Sequence, residues 1–278
     1  DSVAVALNVA LFEKYGVALP SEGWSWADMV SIATKLRDAI KKSGGDEYPI
    51  LMELDAQPSH FNFAHQSGGY VISEDFSKSG YNLKETTLAY QRVVDLMDGG
   101  LLAPYVVLSD TNGTDLFLSG KGAILYVGSW KSVVLEESTL GKNGKVRLIT
   151  MPNQEAGNTS VLGGLGYVIS AFTKDKDAAW DFVKFITGEV GNTIQAEEGI
   201  DIPAYKAAQP KYLENFKNIN VDTFFKAAEH AVPFPAGPDF SLWFGIVNDH
   251  VAQIFGGKVS AAEGTAAIHS QMQAILDK

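Results

Sequence analysis

Gly163, Gly164 and Gly166 put three glycines into four positions. A phosphate loop needs its glycines directly before a helix N-terminus, where free N–H groups and the positive end of the helix dipole meet the anion. Here an apolar extended run, residues 167–170, follows the glycines, and helical character begins only near Lys174 to Asp177. The order excludes a phosphate cradle. Glycine next to a strand instead marks a bend or a close approach of backbone to something else, a bound ligand included.

Catalytic signatures are absent. There is no cysteine and no G-x-S-x-G, so nucleophilic catalysis has no recognisable centre. The five histidines, His60, His65, His230, His250 and His269, form no H-E-x-x-H, and the His60–His65 spacing does not place both rings on one helical face, so no metal or other cofactor is expected. Glu136–Glu137 and Glu197–Glu198 are adjacent pairs. Neighbours on a helix point about 100° apart, so neither pair converges as the two acids of a glycosidase do, and both are expected on solvated helix faces.

The aromatic residues say more. Trp130 follows the apolar run "GAILYVGS" and so lies at the carboxyl end of a strand, where open α/β sheets bind ligands. Trp243, in "PAGPDFSLWFGIVNDHV", opens a helix for which Asp239 and Ser241 are candidate N-caps, and Phe61 sits between His60 and Asn62 in "QPSHFNF". Rings with amide, imidazole and carboxylate neighbours suit a sugar, whose C–H face packs on the ring while its hydroxyls take hydrogen bonds. Trp24, Trp26 and Trp180 lie beside caps or within amphipathic helices and are expected to pack.

The elements that position these residues read as helices broken by short isolated strands. "SWADMVSIATKLRDAIKKSGG" has Ser25 as N-cap with Asp28 three residues on, apolar Met29, Ala33, Leu36 and Ile40 on one face, and glycine past its end. "LKETTLAYQRVVDLMDGG" and "SAAEGTAAIHSQMQAILDK" are further amphipathic helices. Strands are expected at 48–51, 123–127, 146–150 and 167–170, short and apolar, as in a buried mixed sheet flanked by helices. No internal repeat or long linker divides the 278 residues. A net charge of −11 and a pI near 4.9 exclude nucleic acid and anionic membrane surfaces as partners.

Three stretches in order carry a resemblance. "DSVAVALNVALFEKYGVALPSEGWSWADMVSIATKL", "LFLSGKGAILYVGSW" and "GGLGYVISAFTKDKDAAWDFVKFIT" resemble, over the whole chain, the extracellular solute-binding proteins of ABC importers in the branch that includes maltose-binding protein. The resemblance implies a type II periplasmic-binding-protein-like α/β fold of two lobes, with most of the N-terminal lobe preceding Asp1, so that the chain is expected to be a C-terminal fragment. Residues 1–160 and 214–278 would form the C-terminal lobe, and 161–213 the hinge crossing and a remnant of the other.

By the same resemblance, Gly163 and Gly164 would face the cleft, Trp130 would be the stacking ring, and Trp243 with Asp239 would line the later wall. The segment His60, Phe61 and Asn62 would add contacts. The implied activity is capture of a carbohydrate by lobe closure and delivery to an ABC permease, outside the cytoplasmic membrane, in the periplasm or on a lipid anchor. A separate N-terminal fragment or a swapped copy would be the further partner. The alternatives are a binding protein for polyamine, metal or glycerophosphodiester, and a fragment of a sugar-active enzyme.

Overall fold

Apolar β-branched runs form strands when both faces can be covered, and four of them do so here. In the computed structural model, which describes residues 1–278, β1 (Val3–Asn8), β2 (Tyr48–Met52), β3 (Gly122–Gly128) and β4 (Val146–Ile149) make one mixed sheet in the order β2-β3-β1-β4. β2 runs parallel to β3, and β1 lies antiparallel to both β3 and β4. Every residue of β1 and β3 is buried, as expected of central strands with helices on both faces. The register pairs Val3 with Gly128, so the start of β1 lies beside the end of β3. A second, two-stranded ladder joins β5 (Val161–Leu162) to β6 (Val232–Pro233) in parallel.

The helices cover the sheet through the faces their spacing defines. The Trp26–Ser43 helix starts at a Ser25–Asp28 capping box, stops at Gly44 in the left-handed region (φ 71°), and buries Met29, Ala33, Leu36 and Ile40. The Lys84–Asp98 helix buries Ala89, Tyr90, Val93 and Leu96, and the Ala261–Leu276 helix packs beside Phe240–Phe255. One buried apolar cluster runs through all of these, from Val3 to Met272. Between Val161 and Ala196 it has no member.

That gap overturns two expectations. Residues 167–170 form no strand and are exposed, because no neighbouring strand offers them a ladder. The Lys176–Thr187 helix is amphipathic in sequence but buries no residue, and Trp180, expected to pack, is 54% exposed, with Phe172, Phe182 and Phe185 also uncovered. The carboxylate pairs correct a third. Glu137 is solvated and paired to Lys142 at 2.7 Å, but Glu136 is buried and accepts N–H bonds from Lys217, Asn218 and Ile219 at 2.8–3.1 Å. It thereby satisfies the donors of a turn that has no ladder of its own.

Candidate functional site

At the carboxyl end of β3 the chain turns through a short helical turn, Ser129–Lys131, that lifts Trp130 off the sheet. Its ring is partly exposed and borders an open cleft of about 580 Å³. The Ser129 hydroxyl donates to Asp1 Oδ1 at 2.8 Å, and the Ser129 N–H to the Ser2 carbonyl at 3.0 Å. The Trp130 turn is thus tied to the chain entering β1.

On the other side, Asp1 and Gly163 exchange two backbone hydrogen bonds, each 2.9 Å. Gln57 reaches into this junction, and its Nε2 donates to the carbonyls of Asp1 and Val161, both at 3.2 Å. A β-carbon on Gly163 would overlap the Gln57 amide, whereas Gly164 has nothing within 4 Å. The close approach that Gly163 permits is therefore to a side chain of the cleft wall. Both glycines border the cleft.

The remaining lining is acidic and apolar. Glu53 and Asp55 come from the segment after β2, Asp201 from the loop after the Glu189–Glu197 helix, and Leu165 and Phe234 supply apolar surface. Glu53 accepts the Thr114 hydroxyl at 2.5 Å and faces Lys131 Nζ at 3.5 Å. These carboxylates keep acceptor capacity for donors in the cleft. No group of three or more His, Asp or Glu side chains is placed to hold a metal.

Phe234 and Ala236 also border a second groove, of about 1030 Å³, which runs on past Tyr70 and His65 to Phe76.

Other expected site residues lie elsewhere. Trp243 is fully buried, and its indole N–H donates to the Pro238 carbonyl at 3.1 Å, with Phe240 packed edge-on against it. It is a core residue here, not a platform. Asp239 is exposed at the helix start in the left-handed region (φ 52°), makes no capping bond and does not border the cleft. His60 and Phe61 are buried in an aromatic cluster with Tyr90, Phe234 and Phe255, so neither ring is open to a ligand. Burial lowers the His60 pKa to about 3, and Nδ1 pairs with the Tyr90 hydroxyl at 2.8 Å.

Asn62 is buried as well, but it acts on the cleft from beneath. Its Nδ2 donates to the Gln57 carbonyl, and its Oδ1 accepts the Val161 N–H at 2.7 Å. Gln57, Glu53, Asp55, Asp201 and Phe234 escape sequence reasoning. Only Gln57 had a signal, its place beside the aromatic stretch "PSHFNF".

A mixed-sheet α/β fold with such a cleft at its strand ends is the architecture of a solute-binding protein. The family described as "Bacterial extracellular solute-binding protein" matches residues 1–193, and the chain belongs to it. It is similar to the maltodextrin-binding protein of Bacillus subtilis (strain 168), 30% identical over 131 residues, which are 47% of this chain and 31% of that protein. The match thus spans about a third of that relative.

Solved structures share the fold. An ABC substrate-binding protein of Listeria monocytogenes in complex with cycloalternan superposes with a TM-score of 0.84 at 20% identity, over 99% of this chain and 70% of that one. The GacH receptor of Streptomyces glaucescens, solved unliganded and with acarbose, gives 0.83 at 22% identity, over 100% and 69%. These relatives are binding proteins, and the family is one of solute-binding proteins, not enzymes. No helix of the chain is long and apolar enough to cross a membrane.

Proposed function

We propose that this chain captures a carbohydrate outside the cytoplasmic membrane, in the periplasm or from a lipid anchor, and delivers it to an ABC import permease. The observation that carries the reading is the cleft itself: a partly exposed Trp130 ring among Glu53, Asp55, Asp201 and Gln57. A ring beside several acceptors matches a molecule with apolar C–H faces and many hydroxyl donors. The names of the relatives, which bind maltodextrin, cycloalternan and acarbose, support the same class. Trp130, Gly163 and Gly164 are the proposed ligand contacts carried over from the sequence.

Residues 1–160 and 214–278 are proposed as one lobe and 161–213 as the hinge crossing and part of a second. The absence of core members between Val161 and Ala196 supports the division over that stretch, whereas Ala196, Ala208 and Tyr212 pack in the same core as the rest. The uncovered rings of Phe172, Trp180, Phe182 and Phe185 support further polypeptide seated there, either an N-terminal segment of the same protein or a swapped copy. Capture would proceed by closure of the lobes over the cleft.

A thermal-shift screen against mono- and oligosaccharides, with a polyamine and divalent cations as controls, tests the reading, since a ligand of the native state raises its stability. Stabilisation by one sugar class, lost in Trp130→Ala, is the expected result. Stabilisation by polyamine or cation alone overturns it.

A further inference from the structure

We propose that Gln57 is a specificity-determining residue of the cleft: its amide is locked with Oε1 toward the ligand, so that it accepts a hydrogen bond from one sugar hydroxyl and cannot turn over to donate one. The inference deepens the carbohydrate reading and rests on it.

A glutamine side chain ordinarily serves as donor or acceptor, because turning the amide over exchanges its oxygen for its NH₂ group. Here both amide protons are committed. Nε2 donates to the Asp1 and Val161 carbonyls, each at 3.2 Å. The reversed amide would set Oε1 against those two carbonyl oxygens, acceptor against acceptor, and forfeit both bonds. The orientation is therefore settled by the protein's own hydrogen bonds before any ligand arrives.

The main chain that carries the amide is held as well. The Gln57 N–H donates to Asp55 Oδ1 at 3.1 Å, and the Gln57 carbonyl accepts from Asn62 Nδ2. Asn62 Oδ1 in turn accepts the Val161 N–H at 2.7 Å, so one buried side chain fixes both the glutamine and one of the carbonyls it bonds. A side chain already immobilised in the free protein loses little further freedom on binding.

What remains unused is Oε1. No group of the protein donates to it, and Gln57 borders the cleft together with Trp130 and Gly163. A β-carbon on Gly163 would come within 2.6 Å of Oε1 and 2.8 Å of Nε2. Glycine at this position leaves the amide the room it occupies. A sugar hydroxyl meeting Oε1 must donate, and a ligand without a donor at that point leaves the acceptor stripped of water and unpaired.

The test is calorimetric titration of the chain, of Gln57→Met and of Gly163→Ala with glucose, galactose, mannose, xylose and their di- and trisaccharides in both anomeric linkages. Each sugar that binds is then titrated as derivatives in which every hydroxyl in turn is replaced by hydrogen or by fluorine, which keeps nearly the size of the hydroxyl but cannot donate. At one position both replacements should weaken binding to the wild type roughly tenfold. Gln57→Met keeps the length of the side chain and removes the acceptor, so it should bind the parent sugar roughly tenfold more weakly and be indifferent to those same replacements. Gly163→Ala, whose methyl displaces the amide, should behave in the same way, and it carries the comparison if Gln57→Met does not fold. Replacement costs that are equal in wild type and variants at every position overturn the assignment of Gln57 while leaving carbohydrate capture standing. Binding of no sugar overturns the carbohydrate reading and the assignment with it.

Discussion

The six-membered ring of Trp130 lies over the α-carbon of Gly128, where a β-carbon would overlap its Cη2, Cζ3 and Cζ2 atoms. Gly128 closes β3 opposite Val3, so the strand end and the ring fix one another. Gly128→Ala should displace the indole and weaken sugar binding by about tenfold or more, as Trp130→Ala should. Titration calorimetry reads the loss, and Trp130 fluorescence reports the displacement. Unchanged affinity in both variants would remove Trp130 from the site.

Trp243→Ala should act on stability. Its side chain is fully buried, with its N–H on the Pro238 carbonyl, so truncation leaves a cavity and costs about 3–5 kcal/mol. Urea denaturation measures this. The cost for the partly exposed Trp130 should be clearly smaller.

Glu136 holds the 217–219 turn through three backbone N–H groups and the Asn218 amide. Glu136→Ala leaves the buried Ile219 N–H without an acceptor and frees the part-buried Lys217 and Asn218 donors, and should cost about 1–3 kcal/mol. Hydrogen exchange at Lys217, Asn218 and Ile219 should accelerate before that of β1.

Acid should weaken the fold through the buried imidazoles. Burial lowers the pKa of His60 from 6.5 to about 3 and that of His65 to about 4. As pH falls below 6.5, the unfolded chain takes up protons at both residues while the folded chain does not, so stability falls toward pH 4. Above 6.5 neither state is charged at these residues and their contribution is level. His60→Gln should flatten the dependence of melting temperature on pH between 6.5 and about 4.5. A slope identical to wild type would contradict the assignment.

Glutamate at Phe172 and Phe182 should leave stability within about 0.5 kcal/mol, since both rings are exposed. Self-association, followed by light scattering, should fall.

The legible part of this molecule is the part whose signals are local. The Ser25–Asp28 capping box, the apolar face from Met29 to Ile40 and Gly44 beyond it are written within one helix. The strands around 48–52 and 122–128 are continuous apolar runs. Trp130 could be placed because it directly follows such a strand. What misled was tertiary. Nothing in "DFSLWFGIV" shows that Trp243 turns its ring inward toward Phe240. The acceptor role of Glu136 depends on N–H groups more than eighty residues away. The run at 167–170 has strand composition but no strand beside it, and composition alone does not supply a ladder.

The junction of Asp1, Gly163 and Gln57 constrains how the molecule can move. Two segments of distant sequence pass there side by side, bonded to each other and to one shared side chain. Neither can swing without turning the other. The segment after Gly163 and the entry to β1 are therefore fastened at one point, and Asn62 below ties that point to Gln57 and Val161. Were the proposed lobes to close, the movement would turn about the same three residues that border the cleft.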